Sequence, residues 1–221
     1  MSVFHENSGF RTFLRDEKGA SLVELAMVLA LFLLILFGLI DYGRYAFHYV
    51  TSERAVHLAA RIAVVRPPAC AGLPETNARG SYTGTEYSYG SDCKQTGITG
   101  LCSDYGTISC VGDTANPTVA EIWPRLDAVL PNGSTPQNVR FAYTFDEELG
   151  FLGGPAVPIV TVELQNVRFN FITPLGKLAE LAMGTGTSSL EGGTDDPEPG
   201  IRFPSMSVSL PAEDLNHGNE G

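Results

Sequence analysis

The sequence predicts an α+β fold raised on one apolar stalk: a long N-terminal helix that is first transmembrane and then amphipathic, followed by a mostly antiparallel sheet with short helices. Three observations carry this reading. Residues 20–40 form an apolar run with one charged side chain, Glu24. Two later stretches alternate apolar and polar side chains, the period of a half-buried strand. The 24 Gly and 14 Pro in 221 residues favour turns and strands over a helical bundle.

The run from Ala20 to Ile40 would span about 31 Å as a helix, close to the hydrocarbon thickness of a bilayer. A cleaved secretory signal has a shorter apolar region and a small-x-small site at its end, which Gly38-Leu39-Ile40-Asp41-Tyr42 does not offer. Arg11, Arg15 and Lys18 precede the run, while Arg44 and Arg54 follow it, a weak preference for the N-terminus inside. The organisation expected is therefore a polar N-terminal segment over 1–19, a transmembrane helix over 20–40, a helical extension over 41–66 ended by Pro67-Pro68, and an extracytoplasmic domain over 67–221.

Charge narrows the function. With 14 Lys+Arg and 25 Asp+Glu the chain carries 14 − 25 = −11, which argues against a nucleic-acid partner, since such binding rests on neutralising phosphates. Cys70, Cys93, Cys102 and Cys110 all lie beyond the run and are even in number, as disulfides in an oxidising compartment would be. Zinc is the rival reading, but no C-x-x-C pair is present and no His lies near them. Four cysteines allow three pairings; the shortest loops favour Cys70–Cys93 with Cys102–Cys110. A segment as long as 69–117 without such staples would be implausible in a compact domain.

Further along, Val119, Ile122, Trp123, Leu126, Val129 and Leu130 share one helical face, with Asn116 or Thr118 as cap and Pro124 as a kink or break. Asn138 to Asp146 alternates as a strand. Ile159 to Ile172 is a second extended stretch whose apolar phase switches from Val160, Val162 and Leu164 to Val167, Phe169 and Phe171, which implies a bulge or two consecutive strands. A short helix follows Thr173-Pro174, residues 184–200 form an acidic loop, and Met206, Val208 and Leu210 alternate with serines in a last strand.

The sequence makes no case for an enzyme. It has no G-x-S-x-G, P-loop, H-E-x-x-H or G-x-G-x-x-G motif, so no catalytic residue and no cofactor is expected. His5, His48, His57 and His217 are scattered; His48 and His57 would lie about 13 Å apart along a helix, too far to share a metal. The acidic clusters at 146–148 and 195–198 lack the spacing of a calcium loop, so no metal is expected either.

Glu24 is the residue that composition does not explain, because a carboxylate near a bilayer centre costs about 2.5–3.5 kcal/mol. Near the headgroups it could snorkel at little cost. Its context reads Arg15-Asp16-Glu17-Lys18-Gly19, then Ala20-Ser21-Leu22-Val23-Glu24. This resembles the class III signal of type IV prepilins, a polar leader ending in Gly, then four residues, Glu and an apolar helix. The resemblance implies that a prepilin peptidase cuts between Gly19 and Ala20 on the cytoplasmic side. It also implies that Glu24, then the fifth mature residue, docks subunits by pairing with a free N-terminal ammonium.

Lys18, Gly19, Ala20, Val23, Glu24, Ala26, Phe37, Gly38, Ile40, Asp41, Tyr42, Gly43, Arg44, Ala59, Ala60 and Arg61 match, more narrowly, the TadE-like minor pseudopilins of the tight-adherence (Flp) pilus system. Leu25 stands where that group often has Phe or Tyr. The resemblance implies a single-pass protein of the bacterial inner membrane, with a periplasmic domain, whose partners are the membrane, a prepilin peptidase and other pilins or pseudopilins. Tyr42, Tyr45 and Tyr49 share a helix face expected to lie at the bilayer interface, and Ala55, Ala59, Ala60 and Ala63 form a strip on which a sheet could pack. The alternative is an uncleaved, membrane-anchored envelope scaffold or ligand-binding domain.

Overall fold

The computed structural model describes residues 20–173, 201–213 and 215. Gly19, the helix expected after Thr173 and the acidic loop over 184–200 lie outside the described residues. Leu- and Ala-rich sequence without a proline forms one uninterrupted helix, α1 (Ala20–Ala63), of 44 residues and about 66 Å. Arg61 sits in its last turn, where a cation opposes the negative end of the helix dipole. The chain then tightens through Val64 and Arg66, whose N–H groups reach Ala60 and Ile62 carbonyls at 3.1 Å, before Pro67-Pro68.

The first half of α1 is bare and its second half is covered. Side chains from Leu22 to Leu36 are exposed, whereas Ser52, Ala55, Val56, Ala59, Ala60 and Ala63 are buried. The covered face packs on a four-stranded antiparallel sheet of order β1-β2-β3-β6 and on a short helix, α2 (Pro117–Asp127). The strands are β1 (Thr107–Val111), β2 (Val139–Thr144), β3 (Ile159–Leu164) and β6 (Met206–Pro211). Val139, Phe141 and Tyr143 on β2 and Val160, Val162 and Leu164 on β3 point at the helix, as their alternation predicts. The alanine strip lets the helix lie close to this layer. Ala60→Leu is therefore expected to overpack a fully buried site and lower stability by about 1–3 kcal/mol, read as a lower denaturation midpoint of the solubilised full chain.

Two elements add to the expectation. The segment 69–117 ends in a strand, β1, which pairs with β2 in the register Cys110↔Phe141. Helix α2 also runs through Pro124 without a break: Asn116 caps it by accepting N–H bonds from Thr118 and Val119, and buried Ile122 and Leu126 flank the proline on either side. The phase switch after β3 is a change of strand. Asn166, at φ 57°, turns the chain into β4 (Arg168–Phe169), which pairs with β5 (Ile201–Arg202) in a separate two-stranded ribbon.

The disulfides correct the expected pairing. They are Cys70–Cys110 and Cys93–Cys102, with Cα–Cα distances of 5.5 and 5.2 Å. The reason is the register of β1, which places Cys110 opposite Phe141 on the helix side of the sheet, where the chain leaving α1 also delivers Cys70. The shorter bridge then closes a small lobe with its own apolar cluster of Leu101 and Leu152, bordered by Tyr82, Tyr87 and Phe145. Gly80 is required there: a Cβ would lie 2.4 Å from the Cys102 carbonyl oxygen.

β3 starts at Ile159, opposite Thr144, and its Leu164 end leads through β4 to Thr173, which contacts Asp41 on the helix. The disulfide lobe docks on residues 151–155, ahead of β3. It thus lies at the end of the domain away from the stalk, and the β4–β5 ribbon lies at the near end.

Candidate functional site

The polar features of the stalk are a carboxylate along its bare half and a collar where the bare half ends. α1 begins at Ala20, so Glu24 is one turn in, on the same side of the helix as the residue four positions before it. Its side chain is exposed among exposed apolar neighbours, and among the described residues it forms no ion pair. Gly19 is not among the described residues, so the geometry around the expected cut starts only at the backbone of Ala20.

Asp41 follows the last apolar residue of the run and is 2% exposed. Its Oδ1 accepts the Ile172 N–H and its Oδ2 the Thr173 N–H, each at 3.3 Å, and the Thr173 hydroxyl also donates to Oδ2. Arg44, one turn on, reaches Oδ1 at 3.8 Å and lies 5.2 Å from the centroid of the Phe169 ring. A carboxylate buried this way holds strand-side backbone 131 positions distant against the helix. The sequence signal that could have singled it out is its place: an acid directly after an apolar run has to be solvated or bonded.

The three tyrosines part company. Tyr45 packs on Phe169 and Phe203 at 5.6 and 5.0 Å between ring centroids, and Tyr49 stacks on Phe203 at 6.4 Å. Both belong to the seam between helix and ribbon, not to an exposed interface face, because the ribbon folds back over that side of α1. Tyr42, 71% exposed, alone keeps the accessibility of an interfacial ring. Of the two central histidines, His57 is exposed and His48 is half-buried, donating from Nδ1 to the Val129 carbonyl at 2.8 Å.

Away from the stalk the surface offers little chemistry. A cleft of about 580 Å³ in the distal lobe is lined by Asp92, Gln95, Phe151 and the ion pair of Lys94 with Glu148. The first acidic cluster is a turn in which Asp146 accepts the Glu148 N–H at 2.9 Å; the second, at 195–198, lies outside the described residues. Among the described residues no group of three or more His, Cys, Asp or Glu could hold a metal ion. Burial pushes the Tyr105 phenol up to about 12, with nearby Asp104 adding to the shift, and it pushes Tyr143 up as well, partly offset by the N–H bond from Ala69 at 2.8 Å. Both are packing effects inside the domain.

The family model of TadE-like proteins matches residues 19–61. The match starts at Gly19 and covers the bare stalk, Glu24, Asp41 and most of the covered half of α1, and it stops before the sheet. No curated protein and no solved structure matches the chain.

Proposed function

We propose that this chain, TadE-like over its first helix, is a minor pseudopilin cut after Gly19 by a prepilin peptidase and supporting assembly of a Flp-type adhesion pilus. The coarser statement, a membrane protein associated with the Tad pilus system, is supported by the family match over residues 19–61 and by the long apolar helix. The finer one is carried by one observation: a carboxylate at residue 24 on the bare half of a helix that begins at Ala20. Cleavage after Gly19 would create an ammonium one turn from Glu24. An amine and a carboxylate that neutralise each other in lipid remove the penalty that either bears alone, and a neighbouring subunit's amine can serve as well as its own. The N-terminus lies inside and the disulfide-bearing domain in the periplasm under this reading, where two bridges can persist.

The test is the N-terminal mass of the membrane-extracted protein from strains with and without the prepilin peptidase. A start at Ala20 that requires the peptidase supports the reading; an intact leader in both strains leaves an uncleaved envelope scaffold. Two variants separate processing from docking. Gly19→Leu is expected to block the cut, and Glu24→Gln to leave the cut largely intact but abolish assembly. Normal pili in the Glu24→Gln strain would remove the docking role.

A further inference from the structure

Where the stalk meets the domain, the chain shows a second apolar surface that an anchoring helix does not require. The Asp41 carboxylate holds the backbone of Ile172 and Thr173, which fixes residues 171–173 at the level where the apolar run ends. The side chains displayed at that level are poorly suited to water. Ile172 is 74% exposed, Phe171 36%, and Tyr42, the next helix position after Asp41, is equally open. A single exposed apolar side chain is ordinary. Three around the exit of a helix whose surface from Leu22 to Ile40 is, apart from Glu24, apolar and mostly exposed make one continuous surface with it.

Charge at this level fits the same surroundings. Arg44, about one third exposed, stands one turn above Asp41. Asp41 itself is buried, with both oxygens engaged.

We infer that this collar is seated in the bilayer surface, with Phe171 and Ile172 in the upper acyl region, Tyr42 among the headgroups and Arg44 toward lipid phosphate. The domain then stands on the membrane at two points, the helix and the 171–172 tip, and does not swing about the helix alone. The occupant is the lipid surface that the stalk already enters. The inference rests on residues 20–40 spanning the bilayer, and the test reports on that premise separately.

Both native disulfides leave no free thiol among the described residues, so one added cysteine can carry an environment-sensitive fluorophore. Full-length Ile172→Cys, Leu34→Cys in mid-stalk and Tyr89→Cys on the distal lobe would be labelled and reconstituted into phosphatidylcholine/phosphatidylglycerol vesicles, with and without acyl-brominated lipid. The Leu34 label should be quenched strongly, the Ile172 label blue-shifted and quenched at least half as much, and the Tyr89 label not quenched. Quenching at Ile172 no greater than at Tyr89, with Leu34 quenched, overturns the collar. A blue shift at Ile172 without lipid quenching, growing with the protein-to-lipid ratio, overturns it in favour of contact between copies. Failure of quenching at Leu34 overturns the spanning premise and the collar with it.

Discussion

Replacing Cys70 and Cys110 together by alanine is expected to lower the unfolding free energy by about 4 kcal/mol, and replacing Cys93 and Cys102 by about 3 kcal/mol. The order follows from the loops closed, since the first pair is separated by 40 positions and the second by 9. The structural consequences should differ more than the energies. Cys70–Cys110 ties the chain leaving α1 to β1, an edge strand whose only sheet neighbour among the described residues is β2, and Cys70 is part of the main core. Its loss should loosen β1 and the helix exit together. Cys93–Cys102 holds a lobe with a separate cluster, so its loss should raise amide exchange over that lobe while the β2–β3–β6 sheet stays protected. Denaturant titration of the oxidised variants gives the energies, and peptide mapping under non-reducing conditions gives the pairing. Recovery of a Cys70–Cys93 peptide would overturn both parts.

This pairing also shows where a linear reading stops. Locality in sequence weighs only loop closure, and that term grows so slowly that a loop of about forty residues costs little more than one of ten. What decides the partner is the register of β1, in which Thr107 faces Thr144 and Cys110 faces Phe141. Nothing in the five residues of β1, set in a Gly-, Ser- and Thr-rich stretch, declares that register. The long helix, the strand over 139–144 and the last strand were legible because their patterns are local: an unbroken apolar run, and period-two alternation that the sheet reproduces at Phe141, Tyr143, Val160 and Val162. Pro124 left a kink or a break as alternatives, and the helix runs on through it. Its local penalty is real, but flanking core contacts by Ile122 and Leu126 hold α2 together across it. At the stalk, Glu24 was visible as an acid within an apolar run. The bonding of Asp41 was not, since its partners lie 131 and 132 positions away, and the same distant ribbon takes Tyr45 and Tyr49 into its seam.

Asp41→Ala is expected to destabilise the junction by about 2–4 kcal/mol, in the range for deleting one member of a buried, charge-assisted cluster. The variant leaves two backbone N–H groups and the Thr173 hydroxyl without their acceptor. The loss stays below the roughly 5 kcal/mol of a fully buried pair, because the N–H bonds are long at 3.3 Å and Arg44, about one third exposed, is solvated when its partner goes. Asp41→Asn keeps a carbonyl oxygen and should lose roughly half as much. Amide exchange over 168–173 measures the effect directly: it should rise in the order wild type, Asn, Ala, while β2 and β3 remain protected. Equal exchange in all three would mean that the ribbon is held by the Phe169 and Phe203 rings alone. The carboxylate matters beyond stability because the bare and covered halves form one uninterrupted helix, so the hold of Asp41 on residues 171–173 contributes to the angle between domain and stalk. Under the proposed function a stalk that packs among neighbours presents its domain at a set angle, and Asp41 adds to the packed alanine strip in setting it.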